Sequence, residues 1–150
     1  MHISRTFAAA DISASGLKAE RMRMEVAANN IANAHATRSA SGGPYRRQQV
    51  IFAAPAPNSG TAPDTATLPE LQGVEIVGIA ADRSPFPRVY NPGHPDADPQ
   101  GYLEMPNVVL PMEMVDLMTA SRSYEANLKA IETFRQMAEQ TLSLMKGFQA

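Results

Sequence analysis

The chain has 150 residues, a length typical of one domain, and its net charge is −2 at neutral pH. It contains no cysteine, which excludes disulfides and cysteine-based metal sites, and it is not basic enough to indicate a nucleic-acid partner. No segment approaches the ~20 consecutive apolar residues of a membrane span, and the N-terminal segment lacks the apolar stretch of a secretory signal.

The first predicted element is a long helix from Ser4 to Asn33. Apolar residues recur there at spacings of three and four, a pattern that holds one side of a helix against a partner helix. Arg21 interrupts this stripe, which otherwise consists of Phe7, Ala10, Ala14, Leu17, Met24, Ala28 and Ile31. A stripe of this length predicts an equally long helical companion.

The end of this helix, ANNIANA at 28–34, is the strongest local motif. Asparagine is a mediocre helix former, so three asparagines in five residues call for an explanation. Counted from the apolar stripe, Asn29, Asn30 and Asn33 are predicted to lie on the opposite face of the helix. They either fray and cap the helix end, or they are buried by a second neighbour, where side-chain amides donate and accept at once.

The middle of the chain is predicted to be non-helical, because all twelve prolines lie from Pro44 to Pro111. The residue patterns predict short strands and one linker in this region. The predicted strands cover 45–52, 73–79, 87–90 and 101–104, and the flexible linker covers 53–70.

Two features of the middle region are candidate sites for chemistry. Asp96 and Asp98 begin like a calcium loop, but Asn107 stands where bidentate coordination needs Glu, so a tight turn is the preferred interpretation. His94 has no nucleophile at a recognisable spacing, and a structural role is preferred for it. The sequence therefore predicts no catalytic residue, no metal and no cofactor.

The second long helix is predicted from Pro111 to Lys146, since proline suits a first turn and Gly147 suits the C-terminal cap. Its apolar stripe, broken by Ser121 and Arg135, consists of Met114, Leu117, Tyr124, Leu128, Ile131, Ala138, Leu142 and Met145. We expect the two helices to pack antiparallel, with Ile31 level with Met114. That register places Arg21 beside Tyr124 and Glu125, and Arg135 beside Asp11.

The predicted fold class is therefore mainly α with a small β region. Residues 1–35 and 111–150 form long helices that pack antiparallel as a coiled coil. Residues 36–110 form a small proline-rich region with short β-strands between them. No internal repeat is visible beyond the heptads.

The long N-terminal helix ending in NNIANA resembles the flagellar rod and hook family of bacterial axial proteins. Four further blocks resemble its proximal-rod members: GGPYRRQ at 42–48, GVEIVGIAADRSPFPRVYNPGHPDAD at 73–98, GYLEMPNV at 101–108 and EMVDLMTASRSYEANL at 113–128. The resemblance covers nearly the whole chain apart from the linker. It implies a structural, non-enzymatic rod subunit of the basal body, located in the periplasmic space. It also implies export through the flagellar type III apparatus without a cleavable signal peptide.

The partners that the resemblance implies are further copies of the chain, other rod proteins and the inner-membrane ring, with no nucleic acid and no small-molecule substrate. The candidate subunit-interface residues are Asn29, Asn30, Ile31, Asn33, Arg21, Tyr124, Asn127 and Arg135. Tyr124 could instead belong to the core. Two other interpretations are a distal-rod or hook-type relative, and a cytoplasmic coiled-coil adaptor that would be strongly helical when dilute.

Overall fold

The computed structural model describes residues 3–39, 42–55 and 73–147. Within these described residues, two long helices flank four short strands. The elements are α1 (Ile3–Ala32), β1 (Gln48–Ala53), β2 (Glu75–Ala81), β3 (Arg88–Tyr90), β4 (Tyr102–Glu104) and α2 (Leu110–Gly147). The predicted fold class is confirmed, and both helices end within one residue of their predicted bounds. Most of the predicted linker at 53–70 lies outside the described residues.

The chain divides into two compact units. The terminal unit comprises residues 1–21, 52–77 and 121–150, and the middle unit comprises residues 22–51 and 78–120. Among the described residues, the buried apolar side chains are mostly small: Ala19 in the terminal unit, and Val26, Ala27, Ala34, Leu103 and Ala120 in the middle unit. Alanine favours a helix but removes little apolar area from water, so these helices gain little stability from their own core.

The four strands form two small sheets, β1 with β2 and β3 with β4. Strands β3 and β4 are antiparallel, with Tyr90 opposite Tyr102. The two rings meet edge to face with their centroids 5.4 Å apart, an arrangement that stabilises cross-strand aromatic pairs.

Asp98 holds the turn that precedes β4. Its Oδ1 accepts the backbone amides of Gln100 at 2.9 Å and Tyr102 at 2.8 Å. Gly101 adopts a φ of 82°, in the left-handed region that favours glycine. The preferred interpretation of this segment as a tight turn is thus confirmed. Within the described ranges, no group of three His, Asp or Glu side chains could hold a metal ion.

The helices run antiparallel in the middle unit, where Arg23 forms an ion pair with Asp116 and Asn30 bonds Glu113. The predicted register set Ile31 level with Met114. The α2 side chains that bond α1 here are Glu113 and Asp116 instead. Met114, which belongs to the predicted stripe, lies exposed.

The terminal unit shows the same correction. Gly16 lies against Asn127, so closely that a Cβ atom on Gly16 would stand 2.8 Å from Asn127 Nδ2. Leu128, which was predicted to face the first helix, is exposed. Arg135 does not pair with Asp11 but donates through Nε to Glu139 Oε1 of its own helix at 2.8 Å. Gly16 permits this close approach, and neither Gly16 nor Asn127 belongs to the predicted apolar stripes.

Over the parts of both helices that the structure describes, there is no stretch long and apolar enough to cross a membrane.

Candidate functional site: a polar junction and an outer helix face

Asn30 is the centre of a buried polar cluster in the middle unit and is 1% exposed. Its Nδ2 donates to the carbonyl of Gln48 at 2.9 Å and to Glu113 Oε2 at 2.8 Å. Its Oδ1 accepts from the amide of Gln48 at 3.0 Å and from the hydroxyl of Tyr45 at 2.9 Å. Both donors and both acceptor positions of the amide are thereby used. One side chain therefore joins α1 to β1 and to α2.

Glu113 is equally buried and lies in the first turn of α2. Its Oε1 accepts from Arg47 Nε at 2.5 Å, and Arg47 Nη1 reaches Asp82 Oδ2 at 3.5 Å. A carboxylate this deeply buried is tolerated because it is both paired and hydrogen-bonded. We call the set Asn30, Tyr45, Arg47, Gln48 and Glu113 the polar junction.

Two groups of the polar junction have shifted pKa values. Burial works to lower the pKa of Arg47, but its hydrogen bond to Glu113 and the nearby negative charges outweigh burial and raise it. Burial raises the pKa of the Tyr45 phenol, and the charge of Glu113 raises it further. Both groups therefore keep the protons that they donate to the junction at neutral pH.

The other two asparagines of the motif lie at the surface side of the same helix end. Asn33 Nδ2 donates to the Asn29 carbonyl at 2.9 Å and to Asn29 Oδ1 at 3.0 Å, and Asn29 Nδ2 donates to Tyr45 Oη at 3.2 Å. The bonds to the Asn29 carbonyl satisfy one of the acceptors left over at a helix C-terminus. Asn29 is exposed, whereas Asn30 is buried, so the asparagines of the motif do not share one environment.

The remaining candidate residues fall into two groups. Arg21 and Arg135 are exposed. Ile31, Tyr124 and Asn127 are half-buried, like Asn33. The structure brings Asn29, Asn30 and Asn33 together at one helix end.

Asp96 and His94 make contacts within the middle unit. Asp96 Oδ2 accepts from the Thr37 hydroxyl at 2.9 Å, and its Oδ1 pairs with Arg38 Nη2 at 2.8 Å. His94 Nδ1 accepts the backbone amide of Asp96 at 3.1 Å. These bonds tie the 94–98 turn to the segment that follows α1.

The start of α2 carries large apolar side chains on its outside. We define the outer apolar face as Met112, Met114, Val115 and Met118 together with Val109, which directly precedes the helix; these residues are between 53% and 65% exposed. The two acids of the same segment, Glu113 and Asp116, point the other way and bond Arg47 and Arg23. A surface helix of a globular protein shows the reverse arrangement, with apolar residues inside and charges outside.

Sequence reasoning missed four members of the polar junction: Tyr45, Arg47, Gln48 and Glu113. Their partners in the junction lie up to 83 residues away in the chain, so local spacing could not reveal them. One signal was available: Glu113 stands between Met112 and Met114 at a helix start, where an acid in an apolar run indicates a buried partner.

Residues 11–38 match a family model described as flagella basal body rod protein, and residues 100–144 match the C-terminal model of the flagellar basal body rod FlgEFG protein. These segments contain much of α1 and α2. The match agrees with the family resemblance that the sequence motifs indicated.

The chain is similar to the flagellar basal-body rod protein FlgC of Borreliella burgdorferi, with 41% identity over 149 residues that cover 94% of this chain and 98% of the relative. It is 42% identical to FlgC of Escherichia coli O6:H1 over 134 residues, which cover 89% and 93%. It is 38% identical to FlgC of Agrobacterium fabrum over 146 residues, which cover 95% and 96%. At this identity over nearly the full length of each relative, the chain belongs to the FlgC family of flagellar basal-body rod proteins.

Proposed function

We propose that the chain is a structural subunit of the proximal rod, assembling through its terminal helices into a tubular shaft that carries torque to the distal rod and hook. The observation that carries the proposal is the outer apolar face of α2. An apolar surface of this kind marks an interaction site in a folded protein. Its position on a long helix supports packing against other subunits.

We assign a different role to each segment of the chain. Residues 1–35 and 111–150 act as axial segments, and residues 36–110 supply contacts between them and around them. Exposed or half-buried side chains on the helices contact neighbouring subunits; these are Arg21, Asn29, Ile31, Asn33, Tyr124, Asn127 and Arg135. Asn30 supports these contacts from inside, by fixing the end of α1.

The proposed partners are further copies of the chain, other rod proteins, the inner-membrane ring and the flagellar type III export apparatus. Export favours a chain that unfolds at low cost, and the small buried side chains of this protein fit that requirement. The proposed role is mechanical, with no catalysis, cofactor or small-molecule substrate. Close-packed side chains resist deformation, which suits the transmission of torque.

Deletion of the chain from its own bacterium tests this function. We expect loss of swimming, and we expect restoration by the intact chain carrying an epitope tag that is then recovered in purified basal bodies. The variants His94→Asn and Asp96→Asn should restore swimming like the intact chain, because neither group has a catalytic duty in a rod subunit. Complete basal bodies formed without the chain would contradict the proposal.

A further inference from the structure

His94 holds the turn between β3 and β4 through a hydrogen bond that only a neutral ring can make. The backbone amide of Asp96 donates to His94 Nδ1 at 3.1 Å. A ring nitrogen that accepts a hydrogen bond carries no proton, so the proton of this imidazole is on Nε2. In the imidazolium both nitrogens are donors, and Nδ1–H would face the amide N–H. Protonation of the ring therefore removes this bond.

Asp96 joins the same turn to the segment that follows α1. Its carboxylate accepts from the Thr37 hydroxyl at 2.9 Å and pairs with Arg38 at 2.8 Å. The carbonyl of Ala36 in that segment accepts the backbone amide of Tyr45 at 2.9 Å, so the connection continues to the polar junction. The position of the Asp96 carboxylate thus depends on a backbone that the histidine ring holds.

The charged side chains beside the 94–98 turn line one cavity of the middle unit. They are Arg38 after α1, Arg88 of β3, Glu104 of β4, and Asp96 and Asp98 of the turn itself. Both arginines are paired, Arg38 with Asp96 and Arg88 with Asp98. In the part of the chain that the structure describes, the His94 ring bonds no charged side chain. A positive charge on the ring would be added beside these ion pairs, where it competes with the arginines for the carboxylates.

We propose that His94 is a pH-sensitive contact, whose protonation releases the 94–98 turn from Thr37 and Arg38 while the rest of the middle unit stays folded. Histidine is the side chain type that ordinarily changes its charge between about pH 5 and 8. The stabilisation is present while the ring is neutral and is lost as the pH falls through this range. This property is independent of the proposed rod assembly.

The two ends of the turn respond to acid separately. The pKa of Asp98 is held below its ordinary value of 3.8, mainly by the backbone amide of Tyr102. Its bonds to the turn therefore persist in the mild acid that protonates a histidine. Loosening of the turn at the Asp96 end, with the Asp98 end intact, is the expected signature of His94.

The matched variant is His94→Asn. An asparagine side-chain oxygen accepts the backbone amide two residues further on, as in an Asx turn, so this variant keeps the bond and loses the titrating group. The control variant is His35→Asn, because His35 lies exposed in the segment that follows α1 and is the other histidine near Thr37 and Arg38.

Hydrogen exchange of the full-length, isotopically labelled chain tests the proposal by NMR between about pH 8 and pH 5, the range in which histidine titrates. Protection of the Asp96 amide, measured relative to a free peptide at each pH, should fall about fivefold in acid, the factor for one hydrogen bond of average strength. The loss should occur in the natural chain and in His35→Asn, and not in His94→Asn. The methyl signal of Thr37 should shift with the same midpoint, because its hydroxyl loses Asp96. The Gln48 amide, which bonds Asn30, should stay protected throughout.

Four results would overturn the proposal. The Asp96 amide could keep its protection in the natural chain, or lose it equally in His94→Asn, which would assign the response to another group. An unchanged Thr37 signal would show that the turn is not released. Simultaneous loss at Gln48 would mean that the whole unit unfolds. Nitrogen chemical shifts of the ring give the last check, since a protonated Nδ1 at about pH 8 is incompatible with the bond to Asp96.

Discussion

Asn30 uses both donors and both acceptor positions of its side chain within the chain. Its partners belong to different parts of the middle unit. It receives the amide of Gln48 and the hydroxyl of Tyr45, and it donates to the Gln48 carbonyl and to Glu113. In a unit whose buried apolar residues are mostly alanines, such bonds fix the register that bulky side chains would otherwise fix. A fully satisfied polar cluster adds specificity, and a broken one is costly.

The pairing of Arg47 with Glu113 makes one prediction at this scale. Arg47→Met leaves the Glu113 carboxylate buried without its cation, so the free energy of unfolding should fall by about 3–5 kcal/mol. Adding Glu113→Gln should recover part of the loss, because the amide is neutral and its oxygen can still accept from Asn30. Urea unfolding of both variants measures this, and the absence of recovery would contradict the ion-pair account.

The close approach of Gly16 and Asn127 makes a second prediction. Gly16→Ala should lower the melting temperature, because the new Cβ would meet Asn127 Nδ2 at 2.8 Å. In an Asn127→Ala background the same change should instead raise the stability by up to about 1 kcal/mol, since alanine is the better helix former. The comparison of four melting curves isolates the contact. Destabilisation by Gly16→Ala in both backgrounds would show that another neighbour limits the space.

Among the elements, the turn before β4 depends on a carboxylate. Backbone hydrogen bonds from Tyr102 and Gln100, together with Arg88, hold the pKa of Asp98 below its ordinary value of 3.8. A lowered pKa in the folded state means that the stabilisation is complete above about pH 3.8 and is lost as the pH falls through the lowered value.

Acid should therefore loosen this turn selectively. We expect the backbone amides of Gln100 and Tyr102 to lose hydrogen-exchange protection below pH 3.8, the pH at which free aspartate is half protonated. The Asp98→Asn variant should show weaker protection at neutral pH and little further change on acidification. Equal acid sensitivity in the natural chain and the variant would rule out Asp98 as the titrating group.

At the scale of the whole molecule, the sequence predicted elements better than their faces. Helix bounds could be predicted because the confinement of proline and the three-four spacing are local signals. The short strand GVEIVGI was predicted at 73–79 and is found at Glu75–Ala81 for the same reason. The contact face was mispredicted because the apolar stripe was taken as the seam. In this protein Asn30, Glu113 and Gly16 make contacts between the helices, while Met114, Leu128 and Leu142 of the predicted stripe are exposed.

The polar junction could not be predicted from local sequence patterns. Asn30 and Glu113 are 83 positions apart, and neither residue type is expected in a seam between helices. The sequence places Tyr45 and Arg47 in a predicted strand but does not indicate which residues they contact. Their roles follow from tertiary contacts, which no spacing within a single helix or strand encodes. The composition of the asparagine motif predicts a special role, but one helix alone does not show which of its asparagines is buried.

The outer apolar face also limits the concentration at which the free subunit stays dissolved before assembly. Free copies with large apolar side chains in water attract one another without a defined geometry, and crowded pools of such chains precipitate. We therefore expect a low concentration of free subunit in the cell, with synthesis matched to the rate of assembly. The surface that is proposed to build the assembly therefore also makes unassembled copies prone to aggregate.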